Sequence, residues 1–218
     1  MTTLLGRRNN RARRGEQGSV IVEAAIIIPL LVILTFGCIE FGLAFRDSAA
    51  VAASTRSGAR IAAAMPGVAG NQSATPPVDG FQDAARKAVN DALKDLTKAQ
   101  PVELVIFKAN PTTGLPIGQT GTPNYDTCTQ CYRYQWFSSS KSFSTCTTLT
   151  PACTNTPWVA GPASTSGTQL NDACNGVTDA IGVYVRAQQP FVTGLWGTKT
   201  YDHVTVMRLE PVGSDSCS

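Results

Sequence analysis

A long apolar segment near the start of the chain limits what this sequence can fold into more than any other feature. It runs from Ser19 to Phe45, and its stretch from Ala24 to Ile39 carries no charged residue. A helix over residues 19–45 would measure roughly 40 Å, which exceeds the ~30 Å of hydrocarbon in a bilayer. We therefore predict a transmembrane helix over residues 19–45, with the remaining chain on either side of it.

The charges that flank this segment predict its orientation. Five arginines precede it, whereas the charges of Arg46 and Asp47 just after it cancel. The five are Arg7, Arg8, Arg11, Arg13 and Arg14. The positive-inside rule then places residues 1–18, a basic leader, in the cytoplasm and the rest of the chain outside the inner or plasma membrane.

A secretory signal peptide is the main alternative for this segment. Such peptides also join a basic region to an apolar core, and Ala50-Val51-Ala52 resembles a small-residue cleavage site. Signal-peptide cores, however, run about 7 to 15 residues, whereas this apolar segment is longer and lies well before those alanines. We prefer the membrane anchor, and a secreted form that starts at Ala53 is the competing prediction.

Glu23 is a carboxylate in an unusual place, because it directly precedes the uncharged apolar run and follows Gly18 by five residues. A charge at the centre of a bilayer costs on the order of 2.5 to 3.5 kcal/mol on insertion scales, so such a residue is a functional candidate by default. Alternatively, Glu23 lies among the headgroups, where the positive end of the helix dipole tolerates it. We prefer the functional interpretation.

The order of Gly18, Ser19 and Glu23 resembles the processing site of type IV pilin-like precursors. A larger ordered set of motifs resembles the TadE-like pseudopilins of tight-adherence (Flp-type) pilus systems. The set consists of EQGSVIVEAAIIIP around the start of the anchor, GCIEFG at residues 37–42, RSGARIAA at residues 56–63 and VMRLEP at residues 206–211. It covers the first sixty residues well and the last ten loosely.

This resemblance implies a non-enzymatic, membrane-anchored minor subunit or assembly component of a Flp-type pilus or related secretion system. A prepilin peptidase would cut between Gly18 and Ser19 and leave a new amine on Ser19. Since opposite charges that lose water together interact strongly, Glu23 is expected to pair with that amine on a neighbouring subunit and set its register. The implied partners are the peptidase, other pilin-like subunits and a membrane assembly platform.

Beyond the anchor, the sequence predicts more helix. Residues 46–66 form an alanine-rich helical extension whose small faces suit packing on the protein's own sheet or on neighbouring subunits, and we favour the former. Glu40, about 31 Å past Ser19 along the axis, is expected to be solvated at the outer interface. Residues 67–80 form a linker without periodicity, and apolar residues at helical spacing from residue 81 predict a second helix, capped by Asp79, before Pro101.

Several later segments predict strands. Residues 102–109 are apolar on both faces, as a covered central strand requires, and residues 132–137, 181–189 and 201–209 have strand composition. Two helices followed by strands predict an α+β domain over residues 81–218, with an antiparallel sheet as in a pilin-like domain. The aromatic side chains of the second strand are either an exposed adhesive patch or packing; they are Tyr132, Tyr134, Trp136 and Phe137.

The insertion at residues 110–177 is rich in Thr, Ser, Pro and Gly, and most of the cysteines lie in it. Six cysteines outside the anchor predict disulfides, and six permit 15 connectivities. They are Cys128, Cys131, Cys146, Cys153, Cys174 and Cys217. A redox pair or half a zinc site at Cys128 and Cys131 is the less favoured alternative, because no second CxxC and no nearby histidine completes a metal set. Cys38 is interpreted as a small apolar residue of the anchor.

Composition and missing motifs exclude several function classes. The chain up to Arg46 has six arginines and three glutamates, and the remainder has twelve basic and twelve acidic residues, without the basic face of a nucleic-acid-binding domain. No motif for phosphate, dinucleotide or metal binding or for a serine nucleophile is present. We therefore predict no catalytic site, cofactor, metal, nucleic acid or small-molecule substrate, and His203 is expected on a strand face.

Two other functions remain as alternatives to a pilus component. One is a plain signal-anchored or secreted extracytoplasmic binding module with no role in a pilus. The other is an exported thiol-redox protein that uses Cys128 and Cys131.

Overall fold

The computed structural model describes residues 13–65, 80–128, 130–145, 180–191, 193–194 and 197–209. These residues form two helices and five strands. The helices are α1 (Arg13–Ala63) and α2 (Phe81–Leu93), and the strands are β1 (Gln100–Ala109), β2 (Cys131–Phe137), β3 (Ser142–Thr145), β4 (Ala180–Pro190) and β5 (Thr198–Arg208). The chain divides into two compact units, Met1–Gly42 and Leu43–Ser218.

Helix α1 confirms the predicted continuous N-terminal helix. Its large apolar side chains from Val20 to Phe41, and Phe45, are exposed, whereas Leu43 is half-buried. Within the described part of the chain it is the one helix that is long and apolar enough to cross a membrane. It ends at Ala63, shortly before Pro66, whose ring and missing N–H do not fit a helix interior.

The strands form one antiparallel sheet in the order β3-β2-β1-β4-β5. Strand β1 is central, and its residues are buried on both faces, with Leu104 and Ile106 on one side and Val105 and Phe107 on the other. This arrangement confirms the predicted α+β fold with an antiparallel sheet. Strand β3 was not predicted.

One face of the sheet packs against α2 and against the part of α1 that belongs to the second unit. Val51, Ala59 and Ala62 of α1 are fully buried in this core, together with apolar residues of α2. A Cβ atom added to Gly58 would lie 2.5 Å from Cγ2 of Val89, so the two helices approach closely there. Small side chains on one side of the helical extension therefore pack within the protein itself, as the favoured interpretation predicted, while Ala49 and Ala53 are exposed.

The opposite face of the sheet is covered by the segment between β1 and β2. Tyr125 of this segment stacks on Tyr184 with ring centroids 4.0 Å apart and also contacts Phe107. The Phe107 ring lies over Gly182, where an added Cβ would come within 2.1 Å of it. Cys128 and Cys131 form a disulfide where this segment joins β2, so the prediction of a disulfide-bonded insertion is confirmed for this pair.

Two expectations about single residues are wrong. Glu40 is only 5% exposed rather than solvated. Helix α2 begins after Gly80, whose extended backbone provides the N-cap without a side-chain hydrogen bond, rather than after a cap at Asp79. Of the two alternatives left open for the aromatic residues of β2, the structure favours packing, since Tyr134 is buried and Trp136 packs edge-to-face on Phe143.

Candidate functional site

The predicted processing and assembly residues lie near the start of α1. Gly18, Ser19 and Glu23 are all exposed, and no atom comes within 4 Å of a Cβ added to Gly18. The helix begins at Arg13, so the peptide bond between Gly18 and Ser19 lies within helical backbone. A peptidase that binds extended backbone would have to unwind this part of the helix, and Gly18 lowers the cost of doing so.

Glu23 lies one helical turn beyond Ser19, because residues four apart share a helix face. The apolar neighbours on that face, Ile26 and Ile27, are exposed like the carboxylate itself. Among the residues that the structure describes, no cation lies within ion-pair distance of Glu23. This part of the helix thus presents a carboxylate within an otherwise apolar surface, an arrangement suited to pairing with a positive group of another molecule once water is excluded.

The disulfide between Cys128 and Cys131 is buried. Its Cα atoms are 5.9 Å apart, and Cys131 is fully buried while Cys128 is 6% exposed. Thiol–disulfide exchange needs a thiolate to reach one of the two sulfurs, so this burial disfavours a redox role. The other predicted disulfide residues lie outside the described residues; they are Cys146, Cys153, Cys174 and Cys217. Cys38 is a free, exposed cysteine of α1.

His203 lies on β5 and faces α1, where its Nε2 is 3.1 Å from the Ser48 hydroxyl oxygen. Burial lowers the pKa of His203; Asp202 acts in the opposite direction, and Arg56 adds to the decrease. A serine–histidine pair can begin a nucleophilic site, but Asp202 accepts hydrogen bonds from Tyr184 and Arg186 instead of orienting His203. The contact therefore joins α1 to the sheet. Separately, the described residues contain no group of side chains that could hold a metal ion.

A buried ion pair lies on the face of the sheet opposite the helices, and the sequence patterns did not predict it. Glu103 of β1 accepts a hydrogen bond of 2.7 Å from Nε of Arg133 of β2, and both side chains are almost fully buried. Arg133 also pairs with Asp126 at 3.1 Å and so holds the covering segment on the sheet. Burial raises the pKa of Glu103, and the Arg133 hydrogen bond partly opposes that effect. The signal available in the sequence was a charged residue inside each of two apolar strands.

A second missed feature is the environment of Asp47. Its side chain is 1% exposed and accepts hydrogen bonds from the backbone N–H groups of Thr97, Lys98 and Ala99 and from the Thr97 hydroxyl, at 2.7–3.1 Å. Burial alone would raise the pKa of Asp47, but these hydrogen bonds outweigh it and the pKa is lowered. Asp47 thus fixes the turn between α2 and β1 to helix α1.

Comparison with known proteins gives one match, in the N-terminal region. Residues 18–60 match the family model of TadE-like proteins. The match begins at Gly18 and extends along α1, so the resemblance inferred from the motifs is confirmed over these residues, while VMRLEP lies outside the match. No curated protein and no solved structure matches the chain.

Proposed function

We propose that this protein is a membrane-anchored, pilin-like minor subunit or assembly component of a Flp-type pilus or a related secretion system. The match of residues 18–60 to TadE-like proteins carries this proposal, because it starts at the glycine of the predicted processing site. The N-terminus lies in the cytoplasm and the unit Leu43–Ser218 lies outside the membrane. The arginine-rich leader and the long apolar helix support this orientation.

A prepilin peptidase removes residues 1–18. Mass spectrometry of the mature N-terminus in the native cell tests this step, and we expect a start at Ser19. An intact Met1 would indicate a plain anchor, and a start at Ala53 would indicate a secreted protein. Because no atom lies within 4 Å of an added Cβ at Gly18, Gly18→Phe should block cleavage without disturbing the fold.

Glu23 pairs with the Ser19 amine of a neighbouring subunit and sets its register in the assembly. The exposed position of Glu23 within an apolar helix surface supports this role. Glu23→Ala should leave membrane insertion intact but reduce incorporation into the assembly, measured by co-purification with the other pilin-like subunits. Glu16→Ala is the matched control, because cleavage removes residue 16. Unchanged incorporation of Glu23→Ala would refute the pairing.

Alkylation of the native protein separates this proposal from an exported thiol-redox protein. The buried disulfide leads us to expect that Cys128 and Cys131 resist alkylation until the protein is unfolded and reduced. The same protein after unfolding and reduction is the positive control for labelling. Rapid labelling of Cys128 or Cys131 in the folded protein would favour redox chemistry instead.

A further inference from the structure

One end of the second unit lies beside the residues at which α1 leaves the apolar segment. Asp47, two residues beyond that segment, accepts backbone hydrogen bonds from Lys98 and Ala99, both at 2.8 Å. Ala44 packs with Ala99 and Tyr201 in a small buried cluster. The starts of β1 and β5 therefore lie close to residues 44–47, at which the predicted transmembrane segment ends. We call this the anchor-proximal end.

The antiparallel order of the sheet brings the end of β2 and the start of β3 to the same anchor-proximal end, together with the last turn of α2. A cavity of about 160 Å³ lies between these elements. The residues that line it include Leu93, Leu96 and Trp136, together with Lys94 and Lys141. The cavity thus combines apolar and aromatic walls with two cationic side chains.

Exposed charges at the anchor-proximal end are mostly positive. Among the residues that the structure describes, five basic and two acidic side chains are exposed there; they are Arg46, Lys94, Lys98, Lys141 and Lys199, and Asp91 and Asp95. Asp91 is already paired with Lys94 at 2.5 Å, and Asp47 is buried among hydrogen-bond donors. Asp202, next to Tyr201 on β5, is exposed and pairs with Arg186 at 3.1 Å. This excess of positive charge is local, because the chain beyond Arg46 has equal numbers of basic and acidic residues.

Lys141 gives a second indication that a cation belongs here. It ends the turn between β2 and β3 with φ of 46°, in the left-handed region that favours glycine and asparagine. A glycine would adopt this backbone conformation without steric cost. The sequence instead has a long cationic side chain at this position, and it lines the same cavity as Trp136.

We propose that the anchor-proximal end docks on the anionic phospholipid headgroups of the membrane that α1 crosses. Lys98, Lys141 and Lys199 contact lipid phosphates, and Trp136 lies at the level of the headgroups. Tryptophan and lysine are enriched at membrane interfaces, and basic residues next to a membrane helix are attracted to anionic lipids. The inference rests only on the membrane-anchoring part of the proposed function and is independent of cleavage and of pilus assembly.

Lysine footprinting of the full-length protein tests this docking. The protein is reconstituted into nanodiscs of phosphatidylcholine alone or with added phosphatidylglycerol, and an amine-acylating reagent is applied. Mass spectrometry gives the rate at each lysine. We expect Lys98, Lys141 and Lys199 to react at least about threefold more slowly in the anionic discs, with high salt abolishing the difference because salt screens exposed charges. Exposed Lys87, in the middle of α2, is the control and should react equally in both lipids.

Paired variants sharpen the test. Lys98→Gln/Lys199→Gln should weaken the lipid-dependent protection of Lys141, whereas Lys87→Gln should leave it unchanged. Equal acylation rates in the two lipids, or equal slowing at Lys87, would overturn the docking. Extraction of the protein from vesicles by alkaline carbonate would refute the anchor and the docking together. Retention in the membrane with lipid-independent rates would refute the docking alone.

Discussion

At the scale of single residues, Asp47 links helix α1 to the turn between α2 and β1 through hydrogen bonds that a substitution can remove. It accepts four from residues 97–99. Because hydrogen bonds to a charged group contribute about 1.5–3 kcal/mol each and adjacent ones are not additive, Asp47→Asn should lower the free energy of unfolding by about 2 kcal/mol. Urea unfolding in detergent measures the change.

Asp95 provides the matched control for Asp47. It is exposed in the same turn region, so Asp95→Asn should change the free energy of unfolding by less than about 0.5 kcal/mol. If both variants lost equal stability, the loss would reflect net charge rather than the hydrogen bonds to Asp47.

His203 makes stability depend on pH. Its pKa in the folded protein is below the ordinary value of 6.5, so at pH between the two values the unfolded chain binds more protons. The contribution of neutral His203 to the free energy of unfolding is therefore complete above pH 6.5. It is lost as the pH falls from 6.5 towards the lowered pKa. His203→Gln should remove the part of the acid-induced loss of stability that comes from His203. The free energy of unfolding is measured at neutral and at mildly acid pH for both proteins, and the variant should lose less of it between the two pH values. An identical loss in both proteins would exclude His203 as its source.

At the scale of elements, the crossing of α1 and α2 depends on Gly58. Alanine is normally better than glycine in a helix by about 1 kcal/mol, but a Cβ here would lie 2.5 Å from Cγ2 of Val89. Overpacking a core costs about 1–3 kcal/mol, so Gly58→Ala should destabilise the protein by about 1 kcal/mol net. Denaturant titration measures the effect.

A second variant isolates the cause of that loss. In a Val89→Ala background the clashing Cγ2 is absent, so adding Gly58→Ala should stabilise the protein by up to about 1 kcal/mol through helix propensity. Destabilisation of similar size in both backgrounds would show that the close helix approach at Gly58 is not responsible.

The elements that could be predicted from sequence are those with long, regular patterns. The anchor, α2 and the apolar strands β1 and β4 follow from local periodicity alone. Strand β3 has only four residues, and its Phe143 is fixed by contacts distant in sequence, including a hydrogen bond from its N–H to Asn90. In β5 the polar residues His203 and Thr205 face α1, where Ser48 and Thr55 contact them, while Val204 is 47% exposed. Alternation predicts that a strand has two faces but not which face a distant helix will cover.

At the scale of the whole molecule, the second unit should fold without the anchor. It includes residues 43–63 of α1, which supply Val51, Ala59 and Ala62 to the core. A chain of residues 43–218 should therefore be soluble and unfold in one cooperative transition, followed by circular dichroism and size-exclusion chromatography. A chain of residues 64–218 is the control and should aggregate, because one apolar sheet face would lose its cover. Equal behaviour of the two chains would mean that α1 does not contribute to this core.

The candidate site was predictable because its information is local. Gly18, Ser19 and Glu23 lie within one short motif, and a carboxylate before an apolar run is visible without a structure. The hydrogen bonds of Asp47 and the pair of Glu103 with Arg133 were not predictable, since each joins residues at least 30 positions apart. Pairing over such separations is decided by tertiary packing rather than by local pattern.

Helix α1 has a mechanical consequence, because a single continuous helix contributes both the apolar segment and part of the domain core. Residues 43–63 of this helix belong to the second unit, so a force along the helix acts directly on that unit. Inside the domain, that force would act as shear, spread over the contacts of Asp47, Ser48, Thr55 and Gly58 with the sheet, the α2–β1 turn and α2. Separating helix from domain requires breaking these contacts together, which makes the attachment resistant to sustained tension.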